Sequence, residues 1–250
     1  MSTDDDLDRR FTHWDASSMN ATGAWAQRRR LAQAMREVIQ RLVVIDAPEA
    51  DLAEAADALE RYSKRLAEYP NGTKYEGWAE TAVSGDAAAF FDHSPLIGLA
   101  NPLSPPISLM ADRTQMTVEG KVVFGPAFEG PPACVHGGFI SAAFDEVLGY
   151  VYSLTGNAGM TARLTINYKR PTPLNTELIF KAQLVRVEGR KTYASGKVFA
   201  DDRLTASAEA LFLNVSDERL SDLYMEGQER EEELRAHDAR FDRDLEREPG

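Results

Sequence analysis

Cysteine is almost absent: the 250 residues contain one, Cys134. A lone cysteine excludes an intramolecular disulfide framework and a cysteine-based zinc site, and it fits a reducing, cytoplasmic compartment. Positive charge is also short. Lys and Arg total 28 against 40 Asp and Glu, a formal charge of -12. So acidic a chain has no long-range attraction for nucleic-acid phosphates or an anionic membrane, and no nucleic-acid partner is expected. Long apolar runs are missing too. The longest candidate, Phe139 to Leu154, is interrupted by Asp145 and Glu146, so membrane insertion is not expected and the segment reads as a buried helix or a site. The opening Met1-Ser2-Thr3-Asp4-Asp5-Asp6 has no basic flank and no apolar stretch behind it, unlike a secretory signal. Histidines His13, His93, His136 and His237 show no ligand spacing, and no G-x-S-x-G occurs. Neither a metal, nor another cofactor, nor a serine nucleophile is called for.

What is present divides the chain. From Gln27 to Ile45, Leu31, Met35, Val38 and Leu42 recur at amphipathic-helix spacing, with Arg28, Arg29, Arg30, Arg36 and Arg41 on the polar side. Asp46-Ala47-Pro48-Glu49 reads as a break and a new helix start, and Leu52, Ala56, Leu59, Tyr62 and Leu66 carry the second helix toward Pro70-Asn71-Gly72. Residues 1–70 are thus expected to form a helical arm whose two helices make a hairpin for packing or oligomerisation, with Arg28 to Arg30 on a solvated face. Residues 71–106 read as an irregular linker. From 107 to 215 the periodicity is that of strands: Ile107 to Phe128, Thr161 to Tyr168, Glu177 to Val187, Lys191 to Ala200 and Leu204 to Val215, with turns at Gly189-Arg190 and Asp201-Asp202. The expected fold class is α+β, an antiparallel sheet with one long helix against a face. Residues 216–250 form an acidic tail: from Asp217 onward 13 acidic and 6 basic residues give -7 of the net charge, and nothing in it points to chemistry.

One segment is specific. Gly130-Pro131-Pro132-Ala133-Cys134-Val135-His136-Gly137-Gly138 leads into Phe139-Ile140-Ser141-Ala142-Ala143-Phe144-Asp145-Glu146-Val147-Leu148-Gly149. The prolines end a strand and the glycine pair opens a helix that is apolar on nearly every side, so protein must wrap it. The helix N-terminus offers unpaired N–H groups that glycines leave approachable, a candidate oxyanion site. Asp145 stands two turns in, where burial would make its carboxylate a stronger base, while Glu146 is expected at the surface.

This segment resembles the signature of the PaaI-like group of hotdog-fold thioesterases, in which a sheet wraps one central helix. Met160-Thr161-Ala162-Arg163-Leu164-Thr165-Ile166-Asn167-Tyr168-Lys169-Arg170-Pro171 and Val187-Glu188-Gly189-Arg190-Lys191 are similar to its mitochondrial long-chain acyl-CoA thioesterase branch, that of the carboxyl-terminal modulator protein. The resemblance spans about residues 103 to 215, the size of one domain. It implies that Asp145 is the catalytic carboxylate, Gly137 the N–H that polarises the thioester carbonyl, Thr161 the hydroxyl that holds carboxylate and water, and His136 a shaper of the loop. Gly138, Asn167, Arg190 and Lys191 fall where that branch meets the substrate. Two cations on a hairpin turn also suit a phosphate on charge grounds alone. In one place the chain departs: several relatives have Asn or Gln six residues before the motif histidine, where Gly130 stands here.

Helix geometry adds a constraint. Eight residues of helix separate Gly137 from Asp145 by about 12 Å, so one carbonyl carbon cannot meet both. Donor and base would come from different subunits of a homodimer with two shared sites, and pairing of dimers into a tetramer is left open. The expected reaction is hydrolysis of acyl-CoA to free acid and coenzyme A, with Asp145 as general base or as nucleophile, in fatty acid metabolism. Two rivals stand beside it: a non-catalytic acyl-CoA-sensing regulator that uses the helical arm as effector, and a hotdog hydratase or dehydratase, disfavoured because the helix interior has no histidine.

Overall fold

The computed structural model describes residues 13–14, 21–69, 92–157 and 159–216, together with 219, 222, 225 and 226. Most of the expected linker before residue 92 and nearly all of the acidic tail, with His237, lie outside these residues. The described chain forms strands β1 (His13–Trp14), β2 (Ser108–Asp112), β3 (Thr117–Val123), β4 (Gly159–Tyr168), β5 (Glu177–Glu188), β6 (Lys191–Ala200) and β7 (Arg203–Asn214). The helices are α1 (Gly23–Leu42), α2 (Glu49–Ala67) and α3 (Gly137–Ser153). The sheet is antiparallel throughout in the order β1-β2-β3-β5-β6-β7-β4, so β4 lies at one edge.

Local chemistry explains the strand connections. Glu188 pairs with Lys191 across Gly189-Arg190, and Gly189 takes the positive φ of 57° that a two-residue turn of this kind asks of its first residue. Ala200 pairs with Arg203 across Asp201 and Asp202, both at positive φ, the conformation that matches strand twist and that Asp tolerates. The stretch from Ile107 to Phe128, which alternates only loosely in sequence, holds the β2–β3 hairpin and ends in the short turn Pro126–Phe128. Asp112 Oδ1 accepts from the N–H groups of Thr114 at 2.8 Å and Gln115 at 3.0 Å, an Asx turn that reverses the chain without glycine or proline.

Helix α3 lies across the sheet as its all-round apolar sequence requires, burying Ile140, Ala143, Phe144, Val147, Leu148, Tyr150, Val151 and Tyr152. Phe144 meets Phe180 of β5 edge-on at 5.0 Å, and Tyr152 stacks on Phe212 of β7 at 4.9 Å. Each large apolar side chain so buried contributes about 1.5–3 kcal/mol. The fold is the hotdog: one helix wrapped by an antiparallel sheet, with helices N-terminal to it.

The arm differs from expectation in two respects. Both helices form, but they do not pack along one another as a hairpin. The basic run is not wholly a solvated face either. Arg29 forms an ion pair with the fully buried Asp92 at 2.9 Å, and Trp25 Nε1 donates to the same carboxylate. Arg36 donates to the carbonyls of Leu99 (3.1 Å) and Asn101 (2.7 Å), and Gln40 Oε1 accepts from Ala127 N–H. These contacts fasten α1 to residues 92–101 and to the turn Pro126–Phe128. Helix α2 buries no residue.

Candidate functional site

The loop that presents α3 is fixed by short-range bonds. Gly130 N–H donates to Cys134 O, Ala133 adopts φ 59°, and Glu129 Oε1 accepts from Ala133 N–H at 2.6 Å. A Cβ at position 130 would stand 2.7 Å from His136 Cα. Glycine at that position is therefore steric: no Asn or Gln side chain fits there without moving the loop.

His136 is the N-cap of α3, and its Nδ1 accepts from Gly138 N–H at 3.0 Å. The accepting nitrogen carries no proton, so the neutral ring holds its hydrogen on Nε2. Gly138 has thereby spent its amide on the cap. The Gly137 N–H, at the positive end of the helix dipole, has no acceptor among the described residues. On its other side Gly137 is clamped: Tyr168 Oη donates to Gly137 O at 2.7 Å and lies 2.8 Å from Ser141 Oγ, which also bonds Gly137 O. Sequence reasoning gives neither Tyr168 nor Ser141 a role. Tyr168 sits inside the quoted strand motif, yet nothing local marks it as the side chain that reaches the helix start.

Asp145 and Thr161 come together, with Thr161 Oγ1 donating to Asp145 Oδ1 at 2.9 Å. A strand irregularity makes the contact. Leu164 and Ile166 of β4 face the core, and strict alternation would turn Thr161 the other way. The register slips between Thr161, which pairs with Phe212, and Arg163, which pairs with Leu211. One extra residue is absorbed and the hydroxyl swings to the α3 side. Asp145 Oδ2 accepts no bond among the described residues.

Burial of the two adjacent acids is the reverse of expectation. In the single chain Asp145 is exposed, whereas Glu146 is half-buried and pushed up to about 7 by desolvation, with the neighbouring Asp145 charge adding to the rise.

The remaining positions divide between two ends of β7. Lys191 pairs with Leu213, next to the Phe212 that faces Thr161, and Arg190 donates to Asn214 O at 3.3 Å. The Arg190-Lys191 turn thus shares an end with the Asp145–Thr161 pair. Asn167 pairs with Ser207 and Tyr168 with Ala206, about 20 Å along the strand from Lys191, at the end that holds Gly137. One chain does not gather all eight positions.

Comparison with known proteins bears on this arrangement. The family model described as thioesterase superfamily matches residues 134–207, a span that includes all eight positions. A crystal structure of a thioesterase superfamily protein is 31% identical with a TM-score of 0.66, covering 74% of this chain and 94% of that one. The chain belongs to the thioesterase superfamily. Among curated superfamily relatives, acyl-coenzyme A thioesterase THEM4 of Bos taurus is 41% identical over 99 residues, 39% of this chain and 40% of the relative. THEM4 of Xenopus laevis is 37% identical over 93 residues, 36% and 42% of the two chains. The chain spans about two-fifths of the length of the curated relatives it matches.

Proposed function

We propose that this superfamily member hydrolyses acyl-CoA thioesters to a free acid and coenzyme A, in sites shared by two copies of the chain. The observation that carries the reading is the Thr161–Asp145 hydrogen bond of 2.9 Å, made through a strand irregularity beside the central helix. Bulges of this kind re-aim side chains at functional sites. The names of the curated relatives supply the substrate class.

In the proposed step, Thr161 holds Oδ1 while Oδ2 takes a proton from water as the oxygen attacks the thioester carbon. The Gly137 N–H of the other copy receives the charge developing on the carbonyl oxygen. Collapse of the tetrahedral adduct breaks the C–S bond and expels the thiolate of coenzyme A, and the proton held on Asp145 passes to it. The same placement serves direct attack by the Asp145 carboxylate through a mixed anhydride. Single-turnover hydrolysis in ¹⁸O-labelled water detects the anhydride wherever water opens it at the Asp145 carbonyl, since that cleavage leaves label in the protein carboxylate and general-base hydrolysis leaves none.

The shared site is supported by the division described above. Every side chain of β4 from Met160 to Arg163 is exposed, as are Thr165, Asn167 and Tyr168, on a strand with one edge unpaired among the described residues. An antiparallel pairing of two β4 edges would set the Asp145, Thr161, Arg190 and Lys191 end of one copy against the Gly137 and Asn167 end of the other. It would also withdraw Asp145 from water, which the single chain does not. The direct test is an acyl-CoA panel assayed with the parent chain and Asp145→Asn: loss of hydrolysis with an intact fold is expected, and full activity in the variant overturns the assignment.

A further inference from the structure

Helix α2 has nineteen residues and buries none of them. An isolated helix of that length is marginal in water, so its stability must come from packing on something else. Its apolar residues keep a seven-residue repeat. Leu52, Leu59 and Leu66 occupy one position of the repeat, and Ala55 and Tyr62 the position three residues on, with Tyr69 continuing the row just past the helix. Leu52, Leu59, Tyr62, Leu66 and Tyr69 are 42–59% exposed. A strict repeat of this kind is a helix-pairing seam, narrower than the stripe of a helix lying on a sheet.

Charge identifies what the seam pairs with. The first twelve residues contain Glu49, Asp51, Glu54, Asp57 and Glu60 and no base, while the rest contain Arg61, Lys64 and Arg65 and no acid. The helix dipole accounts for acids in the first turn and bases in the last, but its influence fades within a turn, and Glu54, Asp57 and Glu60 lie beyond it. Two such helices side by side in parallel would set acid on acid and base on base. Antiparallel, each acidic half meets a basic half.

We propose that α2 is an interaction surface for a second copy of this chain, pairing antiparallel with that copy's α2 along the Leu52, Leu59, Tyr62 and Leu66 seam. The seam includes none of the site residues, so this inference stands apart from the hydrolytic assignment. The competing partner on charge grounds is α1 of the other copy, which carries Arg28, Arg29, Arg30, Arg36 and Arg41 against Glu37.

Disulfide trapping on the full chain, with links mapped by peptide mass spectrometry to separate them from Cys134, tests the geometry. Ala58→Cys at the helix midpoint should link to its own copy. Glu49→Cys should not link to itself but should link to Ala67→Cys in a mixture. A 49–49 link, or no 58–58 link, overturns the proposal. Charge reversal tests the cause. With Ala58→Cys retained, one variant carries Glu54→Lys, Asp57→Lys and Glu60→Lys, the other Arg61→Glu, Lys64→Glu and Arg65→Glu. Each alone should lose the 58–58 link, and an equimolar mixture should regain it between unlike chains. Retention of the link by either variant alone, or no recovery in the mixture while circular dichroism shows both folded, refutes antiparallel self-pairing.

Discussion

The two ends of the α3–β4 face are built differently. One holds a carboxylate and a hydroxyl that partner each other, Asp145 and Thr161, with a cationic hairpin turn alongside. The other holds a bare amide, Gly137 N–H, whose peptide is pinned from behind by Tyr168 and Ser141. In the proposed reaction the first would activate the nucleophile, but it has no amide donor like that of Gly137 among the residues described at this end. In the same proposal the second would receive charge, and its one imidazole, His136, spends its basic nitrogen on Gly138 N–H. The proposal of a site shared by two copies rests on this division: a two-fold axis would bring each end what it lacks.

The sharpest break removes the base. Asp145→Asn should lower the hydrolysis rate by about 100- to 10,000-fold with melting temperature and oligomeric mass unchanged. Breaking the other end should cost nearly as much. Gly137→Pro deletes the amide hydrogen while keeping the helix start, since proline is accommodated at the first helical position and His136, with ψ 133°, already has the extended backbone a following proline requires. A loss of about 100- to 1,000-fold in kcat is expected. The added ring crowds Tyr168, whose Oη would lie 3.1 Å from the new Cβ, so a thermal melt accompanies the assay. Mixing these two inactive variants joins the ends again. If sites are shared, a reassorted equal mixture recovers about a quarter of the parent rate, because half the dimers are mixed and each has one intact site. Recovery of nothing, with subunit exchange verified, would mean that each chain builds its site alone. Thr161→Ala should cost less, about tenfold, the loss of one hydrogen bond to a charged acceptor. An effect equal to that of Asp145→Asn would reverse the roles.

Much of this layout was legible in the residues because its causes are local. The all-round apolar run from Phe139 to Val151, the turns at Gly189-Arg190 and Asp201-Asp202, and the strand alternation on either side of them depend on near neighbours. The misreadings have long-range or one-residue causes. Arg29 finds Asp92 63 residues away, and no periodicity announces such a pair. The slip beside Thr161 inverts a strand face with no glycine to flag it. Asp145 and Glu146 exchanged their expected exposure because neighbouring helix positions point about 100° apart. The sheet alone decides which of them it covers.

That exchange yields the smallest effect and the finest distinction between adjacent acids. A half-buried Glu146 raised to about 7 from its ordinary 4.5 binds its proton more tightly in the folded chain than in the unfolded one. Its contribution to stability is fully present below about 4.5 and is lost as pH rises through about 7. Replacing it with neutral glutamine removes that loss. Glu146→Gln should therefore melt higher than the parent at pH 8, approach it near pH 4.5, and flatten the decline between. Asp145→Asn, at an exposed position, should keep the larger, desolvation-driven part of that decline and lose only the share that its own charge adds, while abolishing turnover. A Glu146→Gln chain whose melting profile tracks the parent from pH 4.5 to 8 would show that the glutamate is hydrated and that burial does not separate the two acids.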